Sequence, residues 1–432
     1  MKNVLEWLEA TVEKYPDKPA FSDTESSITF RQVYDIARNT GAYLIEQLGV
    51  DRTPVAVFAG RKMVTPAYFL GVVYAGRPYA PIDASLPDKR IEKILENLCP
   101  RAIVADRESL EHVEGIVDEL EKSEGFDRPQ IFIAEDISRF EPVACADSNC
   151  KISESEGDAV TDSENDILAT VRRHMSMTDP LYIIYTSGST GNPKGVMTSH
   201  LSLMTYINAY CDVMHIECDD VLGNQSPLDY IAAIRDIYLP LKTGCSTAII
   251  PKEYFMEPNV LFDYMNGKMV SSVGWSVSAF TILTSLGAFE ETGLKSLRKI
   301  CFSGSVMPCR VLRKWQENLP EAHFVNQYGP TEATASCTYY SVDHTVEDDE
   351  VLPIGKAYDN YRVFLIDEHG NAPAVGEQGE ICVCGPILAL GYYNDPKRTG
   401  AAFTLNPLNK AYPERMYRTG DYGRLDEDGI LH

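Results

Sequence analysis

Apolar and polar positions along the chain follow two periods, one typical of helices and one typical of strands. Residues 4–15 carry apolar side chains at helical spacing, which predicts an amphipathic helix that ends near Pro16. Residues 28–30 predict a short strand, and a second helix is expected over about residues 31–47. Helix and strand signals therefore alternate from the start of the chain.

Short apolar runs recur between helical segments, as expected of buried parallel strands. These runs cover residues 55–59, 79–82, 102–105, 131–134 and 181–185. The same alternation continues from Leu201 to about Ser341, whereas residues 363–385 read as strands joined by turns rich in glycine and aspartate. The pattern predicts an α/β protein of two subdomains with mostly parallel sheets flanked by helices, followed by a smaller β-rich subdomain. A chain of 432 residues is also too long for one compact core.

Residues 144–166 interrupt this pattern. They are rich in serine, aspartate and glutamate and have almost no apolar periodicity, which predicts an exposed, mobile loop.

Charge and composition exclude several classes of function. With 39 basic and 63 acidic residues the formal net charge is −24, and such a surface repels nucleic acid and anionic membranes. No run approaches the ~20 apolar residues of a membrane span. Acidic residues stand where an export signal would be apolar, and the 11 scattered cysteines form no CxxC pair, so a cytoplasmic location is expected. A nucleotide would then need a local binding site.

The strongest chemical signal lies in residues 186–195, which read Thr-Ser-Gly-Ser-Thr-Gly-Asn-Pro-Lys-Gly directly after an apolar run. Glycines let the backbone approach an anion closely, and hydroxyl groups together with the Lys194 ammonium add donors that suit a triphosphate. The segment is not a Walker A loop, because Gly195 follows the lysine where serine or threonine is required. From composition alone, a flexible surface turn is the alternative.

Residues 185–195 resemble the signature loop of the adenylate-forming superfamily, which includes adenylation domains of nonribosomal peptide synthetases, acyl-CoA synthetases and luciferases. Further segments are similar to the other motifs of the superfamily and occur in the same order. These segments are residues 28–33, 74–83, 326–332, 379–385 with 391–393, and 417–421. The segment 74–83 is closest to the version in peptide-synthetase adenylation domains.

The resemblance implies a fold and an extent for this chain. It implies the large N-terminal core of the superfamily, with α/β subdomains over about residues 1–180 and 181–345 and a β-rich, distorted-barrel subdomain over 346–432. In the superfamily a C-terminal lid domain with a catalytic lysine follows a position like that of His432. Without it, we expect this chain to bind ATP and substrate but to adenylate poorly.

The resemblance also implies roles for individual residues. Tyr328 would stack on adenine, Thr331 would hydrogen-bond the α-phosphate, Glu332 would hold Mg²⁺, and Asp421 would accept the ribose hydroxyls. Taken singly, these could be a core tyrosine, a turn threonine and solvated acids. The implied catalytic residues are Thr186, Lys194, Thr331 and Glu332. The implied nucleotide-binding residues are Thr186, Ser187, Gly188, Ser189, Thr190, Gly191, Lys194, Asn326, Tyr328, Gly329, Thr331 and Asp421.

The implied reaction is the activation of an amino acid or small carboxylic acid with ATP. The acid would form an acyl-adenylate with release of pyrophosphate, and the acyl group would pass to the phosphopantetheine thiol of a carrier protein. Two alternatives stay open: an acyl-CoA ligase for an amino-free acid, and a nucleotide-binding module without catalysis. The intact Lys194, Glu332 and Asp421 argue against the second alternative.

The substrate pocket is where this chain departs from the superfamily. Amino-acid-activating relatives place an aspartate early in the pocket to pair with the α-ammonium group. An ungapped count puts Ile231 there, and a two-residue shift puts Asp229 there, unless Asp229 caps a helix. Other pocket positions carried over are Trp275, Cys301, Ser303, Gly304, Gln327, Ala335 and Ser336. Trp275 suggests a partly filled pocket and a small or flat substrate, and Ser303 and Gln327 suggest a polar group on it.

Overall fold

The computed structural model describes residues 2–123, 125–140, 167–187 and 192–432. The predicted loop over residues 144–166 lies outside the described residues, as do four positions of the glycine-rich segment, Gly188, Ser189, Thr190 and Gly191.

The described residues contain twenty strands. They are β1 Pro19–Ser22, β2 Ser27–Thr29, β3 Val55–Phe58, β4 Tyr79–Pro81, β5 Ala102–Ala105, β6 Gln130–Ile133, β7 Pro180–Ser187, β8 Pro193–Ser199, β9 Val221–Asn224, β10 Ser246–Ile249, β11 Ser272–Ser276, β12 Lys299–Ser303, β13 His323–Tyr328, β14 Thr338–Val342, β15 Lys356–Ala357, β16 Arg362–Ile366, β17 Gln378–Cys384, β18 Gly391–Tyr392, β19 Phe403–Leu405 and β20 Arg415–Arg424.

The same residues contain thirteen α-helices. They are α1 Leu5–Lys14, α2 Phe30–Leu48, α3 Thr65–Tyr74, α4 Asp88–Leu98, α5 Leu110–Glu121, α6 Ala134–Ile137, α7 Ile167–Arg173, α8 His200–Met214, α9 Ile234–Thr243, α10 Pro258–Gly267, α11 Val277–Ser285, α12 Cys309–Asn318 and α13 Pro396–Ala402. Short 3₁₀ turns span Ile231–Ala233, Lys252–Met256 and Thr331–Ala333.

The strands form three sheets. A seven-stranded sheet has the order β18-β8-β7-β4-β3-β5-β6, and a nine-stranded sheet has the order β15-β14-β13-β12-β11-β9-β10-β1-β2. Both are parallel in their centres. The seven-stranded sheet is antiparallel only at its β18-β8-β7 side and stays parallel out to β6, whereas the nine-stranded sheet is antiparallel at both edges. The third sheet, β16-β17-β20-β19, is antiparallel throughout. The predicted fold class, two mostly parallel α/β units with a smaller β-rich unit, is confirmed.

The two large sheets exchange segments of the chain. Strands β1 and β2 join the nine-stranded sheet beside β10, although most of that sheet comes from residues after 220. Strand β18 reaches back to pair with β8 in the seven-stranded sheet, where Gly391 lies opposite Met197. The division at residues 180 and 345 stays a prediction. The pairing of β18 with β8 places residues 391–393 at the base of the glycine-rich hairpin.

The start of helix α2 shows how the early motif determines local structure. Thr29 is the N-cap: its side chain accepts a hydrogen bond from the backbone N–H of Gln32, and the Gln32 side chain accepts from the Thr29 N–H in return. This capping box satisfies two backbone donors that the first turn leaves free. Two residues of the early motif, Thr29 and Gln32, therefore serve to begin helix α2.

A buried histidine at the start of α8 makes the stability of the fold depend on pH. His200 is 1% exposed, and within the described residues its Nδ1 has no hydrogen-bond partner. Burial lowers the pKa of His200 from 6.5 to about 3. The folded state therefore holds the imidazole neutral, and the unfolded chain binds the proton first as pH falls.

Stability is accordingly expected to be fully present above pH 6.5 and to be lost as pH falls toward 3. The loss attributable to His200 is at most about 1.4 kcal/mol per pH unit, or about 2 kcal/mol between pH 6.5 and 5. Urea denaturation at both pH values, for the wild type and His200→Gln, measures it. The variant should lose less stability than the wild type over this interval, and equal losses would contradict the assignment.

Candidate active site

The glycine-rich segment connects two antiparallel strands. In the β7–β8 hairpin, Thr186 lies opposite Lys194 and Ser187 lies opposite Pro193. Within the described residues, the buried Thr186 hydroxyl has no hydrogen-bond partner. A buried polar group without a partner is costly unless a ligand satisfies it. The hairpin therefore presents a hydroxyl and an ammonium group beside each other at the base of the loop.

Gly195 has a packing role rather than a role in the loop itself. A Cβ atom there would lie 2.8 Å from Cγ2 of Ile183 and 2.9 Å from Cζ of Tyr185. The Tyr185 hydroxyl in turn donates to Oδ1 of Asn97 at 2.7 Å. The last glycine of the segment thus allows β8 to lie close to the side chains of β7.

A buried carboxylate connects the hairpin with two distant motifs. Glu332 is 3% exposed, and its Oε1 accepts hydrogen bonds from Lys194 Nζ and from the Tyr392 hydroxyl, each at 2.6 Å. The backbone carbonyl of Glu332 accepts from the Ala389 N–H at 2.8 Å. Burial, followed by the hydrogen bond to Glu332, raises the pKa of Tyr392 above its ordinary value, which keeps this hydroxyl a donor. The sequence predicted the contribution of Lys194 and Glu332 but not that of Tyr392.

Removing the Tyr392 hydroxyl is expected to weaken this site moderately. In Tyr392→Phe the ring remains beside Lys194, whose Nζ is 5.2 Å from the ring centroid, but Glu332 loses one of its donors. One such hydrogen bond corresponds to about a 2- to 10-fold lower rate of ATP–pyrophosphate exchange. The neighbouring Tyr393→Phe is the matched control and should leave the rate unchanged. A wild-type rate in Tyr392→Phe would contradict the role of the hydroxyl.

Tyr328 and Asp421 meet at the edge of the nine-stranded sheet. Tyr328 ends β13, and its hydroxyl donates to Oδ2 of the exposed Asp421 at 2.6 Å. Burial and then this bond raise the pKa of Tyr328 above its ordinary value. The Asp421 N–H donates to the Thr419 hydroxyl at 3.0 Å, and the Gly420 N–H donates to Oε1 of Glu380 at 3.1 Å. Asp421 is thus positioned on β20 by its own motif and by Glu380 of the neighbouring strand β17.

The other residues of the central motif have different positions. The side-chain amide of Asn326 donates to the Pro353 carbonyl at 2.8 Å, so this side chain holds backbone outside the site. Thr331 begins the 3₁₀ turn Thr331–Ala333 and is half-buried. Gly329 packs closely against the backbone of Ser336 and Cys337. Thr331 and Tyr328 thus flank a tightly packed turn, with Glu332 buried behind it.

Parallel strands β11, β12 and β13 bring most of the predicted pocket residues to one sheet edge. Ser276 lies opposite Ser303, and Gly304 follows with a φ of +93°. Gln327 is 2% exposed; its Oε1 accepts from the Ser336 hydroxyl at 3.5 Å, and its Nε2 has no partner within the described residues. Ala335 takes an unusual φ of +75°. Because the carboxyl ends of parallel strands share an edge, this edge is where a substrate would meet the nucleotide residues.

Trp275 does not belong with these residues, and the expectation that it fills the pocket is corrected. Side chains alternate between the faces of a sheet. The row of Gly274 and Cys301 faces the opposite side from Trp275, whose Nε1 donates to the Gly223 carbonyl at 2.8 Å. Trp275 packs against Phe255, Phe280 and Trp315 in an aromatic core. It therefore sets no limit on the size or shape of a substrate.

The structure places the two candidates for the early pocket position, Asp229 and Ile231, in different environments. Asp229 lines a cavity of about 20 Å³ together with Arg61 and Asp83. Burial, and then the charge of Asp83, raises the pKa of Asp229 to about 6. Asp229 caps no described helix, because the caps of the two following elements are Tyr230 and Ala233. Ile231 is buried in the 3₁₀ turn Ile231–Ala233 that leads into α9.

Two buried charged residues on α9, Arg235 and Asp236, were missed from the sequence. Arg235 is 2% exposed, and a guanidinium donor of Arg235 hydrogen-bonds to the Gly274 carbonyl on β11. The available signal was an arginine among the apolar residues of a helix that is buried along most of its length.

A family model and several curated relatives match this chain. The family model described as AMP-binding enzyme matches residues 8–393. The D-alanine–D-alanyl carrier protein ligases of Bacillus cereus and Bacillus anthracis are 30% identical over 430 residues, covering 99% of this chain and 77% of each relative.

Solved structures support the fold. The chain resembles the nonribosomal peptide synthetase FmoA3 with a TM-score of 0.81 and 23% identity, covering 100% of this chain and 42% of that one. It resembles the N-terminal subdomain of Klebsiella oxytoca NpsA, bound to 3-hydroxybenzoyl-AMSN, with a TM-score of 0.78 and 19% identity, covering 100% of this chain and 99% of that one. No helix among the described residues is long and apolar enough to cross a membrane.

Proposed function

Because the chain belongs to the AMP-binding enzyme family and is an ATP-dependent adenylate-forming ligase, we propose that it activates an amino acid or small carboxylic acid for a carrier protein. The observation that carries the proposal is the convergence of Lys194, Glu332 and Tyr392 from three separate motifs. The Tyr328–Asp421 pair at the carboxyl end of β13 supports it.

The nucleotide would be held by side chains from both large sheets. Tyr328 offers a ring for adenine, and the exposed Asp421 carboxylate offers oxygens to the ribose hydroxyls. The Thr186 hydroxyl, free of protein partners within the described part of the chain, and the Lys194 ammonium suit phosphate oxygens. Thr331, Gly329 and Ser187 are further proposed nucleotide-binding residues, and so are Gly188, Ser189, Thr190 and Gly191 of the glycine-rich segment.

Glu332 is the proposed ligand of Mg²⁺. A carboxylate beside the polyphosphate suits this hard cation, which prefers oxygen donors and remains partly hydrated. Lys194 and Tyr392 fix the orientation of the carboxylate before any ligand arrives. When bound, Mg²⁺ would neutralise part of the charge of the polyphosphate.

In the proposed reaction a carboxylate oxygen of the substrate attacks the α-phosphorus of ATP. The bond from this phosphorus to the oxygen that bridges to the β-phosphate breaks, and pyrophosphate leaves with the electron pair. The residues of this chain hold the reactants in line and place positive charge near the phosphates, which is how phosphoryl-transfer sites accelerate this chemistry. No covalent intermediate with the protein is needed.

The proposed acceptor of the acyl group is the phosphopantetheine thiol of a carrier protein. The support is that two relatives at 30% identity are named as carrier protein ligases. An acyl-CoA ligase is the second candidate. Incubation with ATP, acid and either CoA or a phosphopantetheinylated carrier protein separates them by which thioester forms.

The test of the proposal is ATP–pyrophosphate exchange over a panel of amino acids and small carboxylic acids, with binding of Mg²⁺-ATP measured in parallel. Exchange that depends on one class of acid is expected. Failure to bind ATP at millimolar concentration would refute both ligase candidates. ATP binding without exchange for any acid would support the alternative of a nucleotide-binding module without catalysis.

A further inference from the structure

The guanidinium of Arg235 is a positive charge buried beneath the sheet edge where the predicted pocket residues gather. Its side chain is 3% exposed. It hydrogen-bonds to the Gly274 carbonyl and lies 5.9 Å from the centroid of the Tyr210 ring. Gly274 leaves room for it, because a Cβ atom at that position would collide with Nε and Cζ of Arg235. The absence of a side chain at Gly274 therefore leaves the space that the Arg235 side chain occupies.

The hydrogen-bonding capacity of Arg235 is only partly used. A guanidinium carries five N–H donors, and Nε of Arg235 has no acceptor within the described residues. The Nε2 amide of Gln327, which lies along the same edge, is also buried without an acceptor there. Buried donors of this kind are costly, and a ligand that supplies acceptor oxygens would satisfy them.

The charge of Arg235 is likewise only partly balanced. The one carboxylate within 4 Å among the described residues is Asp236, whose Oδ1 is 3.8 Å from Nε. Oδ2 of Asp236 accepts a hydrogen bond from Asn224 at 2.8 Å, and Oδ1 of Asn224 accepts from Nη2 of Arg61 at 2.9 Å. Asp236 thus lies between two arginines.

The other close neighbours of Arg235 do not supply a negative charge. Tyr206 and Cys301 lie beside the guanidinium, and burial raises the pKa of Tyr206 to about 12 and that of Cys301 above its ordinary value. Both groups are therefore neutral near pH 7. They can orient a ligand but cannot neutralise the arginine.

The distance between Arg235 and the sheet edge determines how long a substrate must be to reach both. The Arg235 guanidinium lies beside Gly274 and Cys301, which pair across β11 and β12, while the pair Ser276 and Ser303 lies two residues nearer the edge. Two residues along a strand span roughly 7 Å. A substrate that reacts at the edge and reaches Arg235 would extend inward by about this distance.

We propose that the acid activated by this enzyme carries a second carboxylate, and that Arg235 binds it. The inference rests on the proposed function and names the class of its substrate. Because the two carboxylates must be separated by several ångströms, dicarboxylic acids of four to six carbons fit the position. At the entrance to α9, Ile231 provides apolar surface for the carbon chain.

The first experiment measures the effect of succinate, glutarate and adipate on exchange and on the melting temperature in the presence of Mg²⁺-ATP. Butyrate, valerate and hexanoate are the matched monocarboxylates, and glutamate and alanine form a second pair. At least a 10-fold preference for the dicarboxylate member of a pair is expected. Equal rates within every pair, or activity with monocarboxylates alone, would overturn the inference.

ATP alone is included in the same melting experiment so that two failures can be told apart. No shift with Mg²⁺-ATP would refute the proposed function itself. A shift with Mg²⁺-ATP, together with no response to any dicarboxylate, would refute only the inference about Arg235.

The second experiment uses Arg235→Met, which keeps an unbranched side chain out to about the position of Nε and removes the rest of the guanidinium with its charge. The preference for dicarboxylates over their matched monocarboxylates is expected to fall at least 10-fold, and the melting temperature without ligand should not fall. Arg77→Met is the contrasting variant. Arg77 is 1% exposed, pairs with Asp51 and donates to the Thr53 carbonyl at 3.2 Å, so this variant should melt at lower temperature.

An unchanged preference in Arg235→Met would overturn the inference whatever its melting temperature. Arg235→Lys covers the case in which Arg235→Met fails to fold. It keeps a positive charge on a shorter, non-planar head group, so the dicarboxylate should still be preferred but bind more weakly. Loss of all folding in both variants, with wild-type enzyme that shows no dicarboxylate preference, would assign Arg235 a purely structural role.

Discussion

Replacing Glu332 by glutamine is expected to lower the rate of ATP–pyrophosphate exchange by about 10²–10³-fold, an effect typical of the loss of one charged transition-state contact. The buried Glu332 carboxylate accepts from Lys194 and Tyr392 at 2.6 Å each, and glutamine keeps the shape and one acceptor oxygen. The fold should therefore persist, while the proposed Mg²⁺ ligand and the charge that positions Lys194 are lost.

A control and a titration separate this effect from general damage. Glu368→Gln makes the same chemical change on a side chain that is 86% exposed, and it should leave exchange unchanged. For Glu332→Gln, half-maximal exchange should require more Mg²⁺ than in the wild type. A rate within threefold of the wild type at ordinary Mg²⁺ concentration would remove Glu332 from the proposed catalytic set.

Replacing Gly329 by alanine is expected to damage both stability and activity. A Cβ atom at this position would lie 2.5 Å from Cα of Ser336 and 2.7 Å from the backbone nitrogen of Cys337. Because these neighbours are backbone atoms, they cannot move aside as a flexible side chain would. Overpacking of this kind costs about 1–3 kcal/mol. The turn between Tyr328 and Thr331 would shift, and exchange should fall more than 10-fold, since small misplacements are costly at such sites.

The matched control is Gly115→Ala on the exposed surface of α5, where a Cβ atom would meet nothing within 4 Å. Alanine is the better helix former, so this variant should gain about 0.5–1 kcal/mol. Urea denaturation and ATP–pyrophosphate exchange measure both variants. Wild-type stability in Gly329→Ala would contradict the packing role assigned to this glycine.

The fold and the nucleotide site were predictable from the sequence to different degrees. Local apolar periodicity predicted the helices and strands, as in α2, where the expected span of 31–47 became Phe30–Leu48. The motifs predicted Lys194, Glu332, Tyr328 and Asp421 as one site. Periodicity could not show that β18 returns to β8, because that pairing joins residues nearly two hundred positions apart.

The pocket was less predictable because it depends on which face of a strand a side chain occupies. Trp275 and Cys301 both appear as pocket positions in the sequence, yet the parallel register of β11 and β12 puts them on opposite faces. A shift of one residue reverses the face of every side chain on a strand, so an ungapped count carries little information there.

The sequence by itself determined that this chain is an α/β protein with the motifs of an adenylate-forming enzyme, since periodicity and ordered motifs are local properties of the chain. Tertiary structure decided which of those residues meet. It brought Lys194 and Tyr392 within hydrogen-bond distance of Glu332. It also placed Asp229 at a small cavity and buried Ile231 in a 3₁₀ turn. It also left Arg235 buried with a charge only partly balanced. The physical reason is that burial and charge balance depend on neighbours brought together by long-range strand pairing, which no local pattern records.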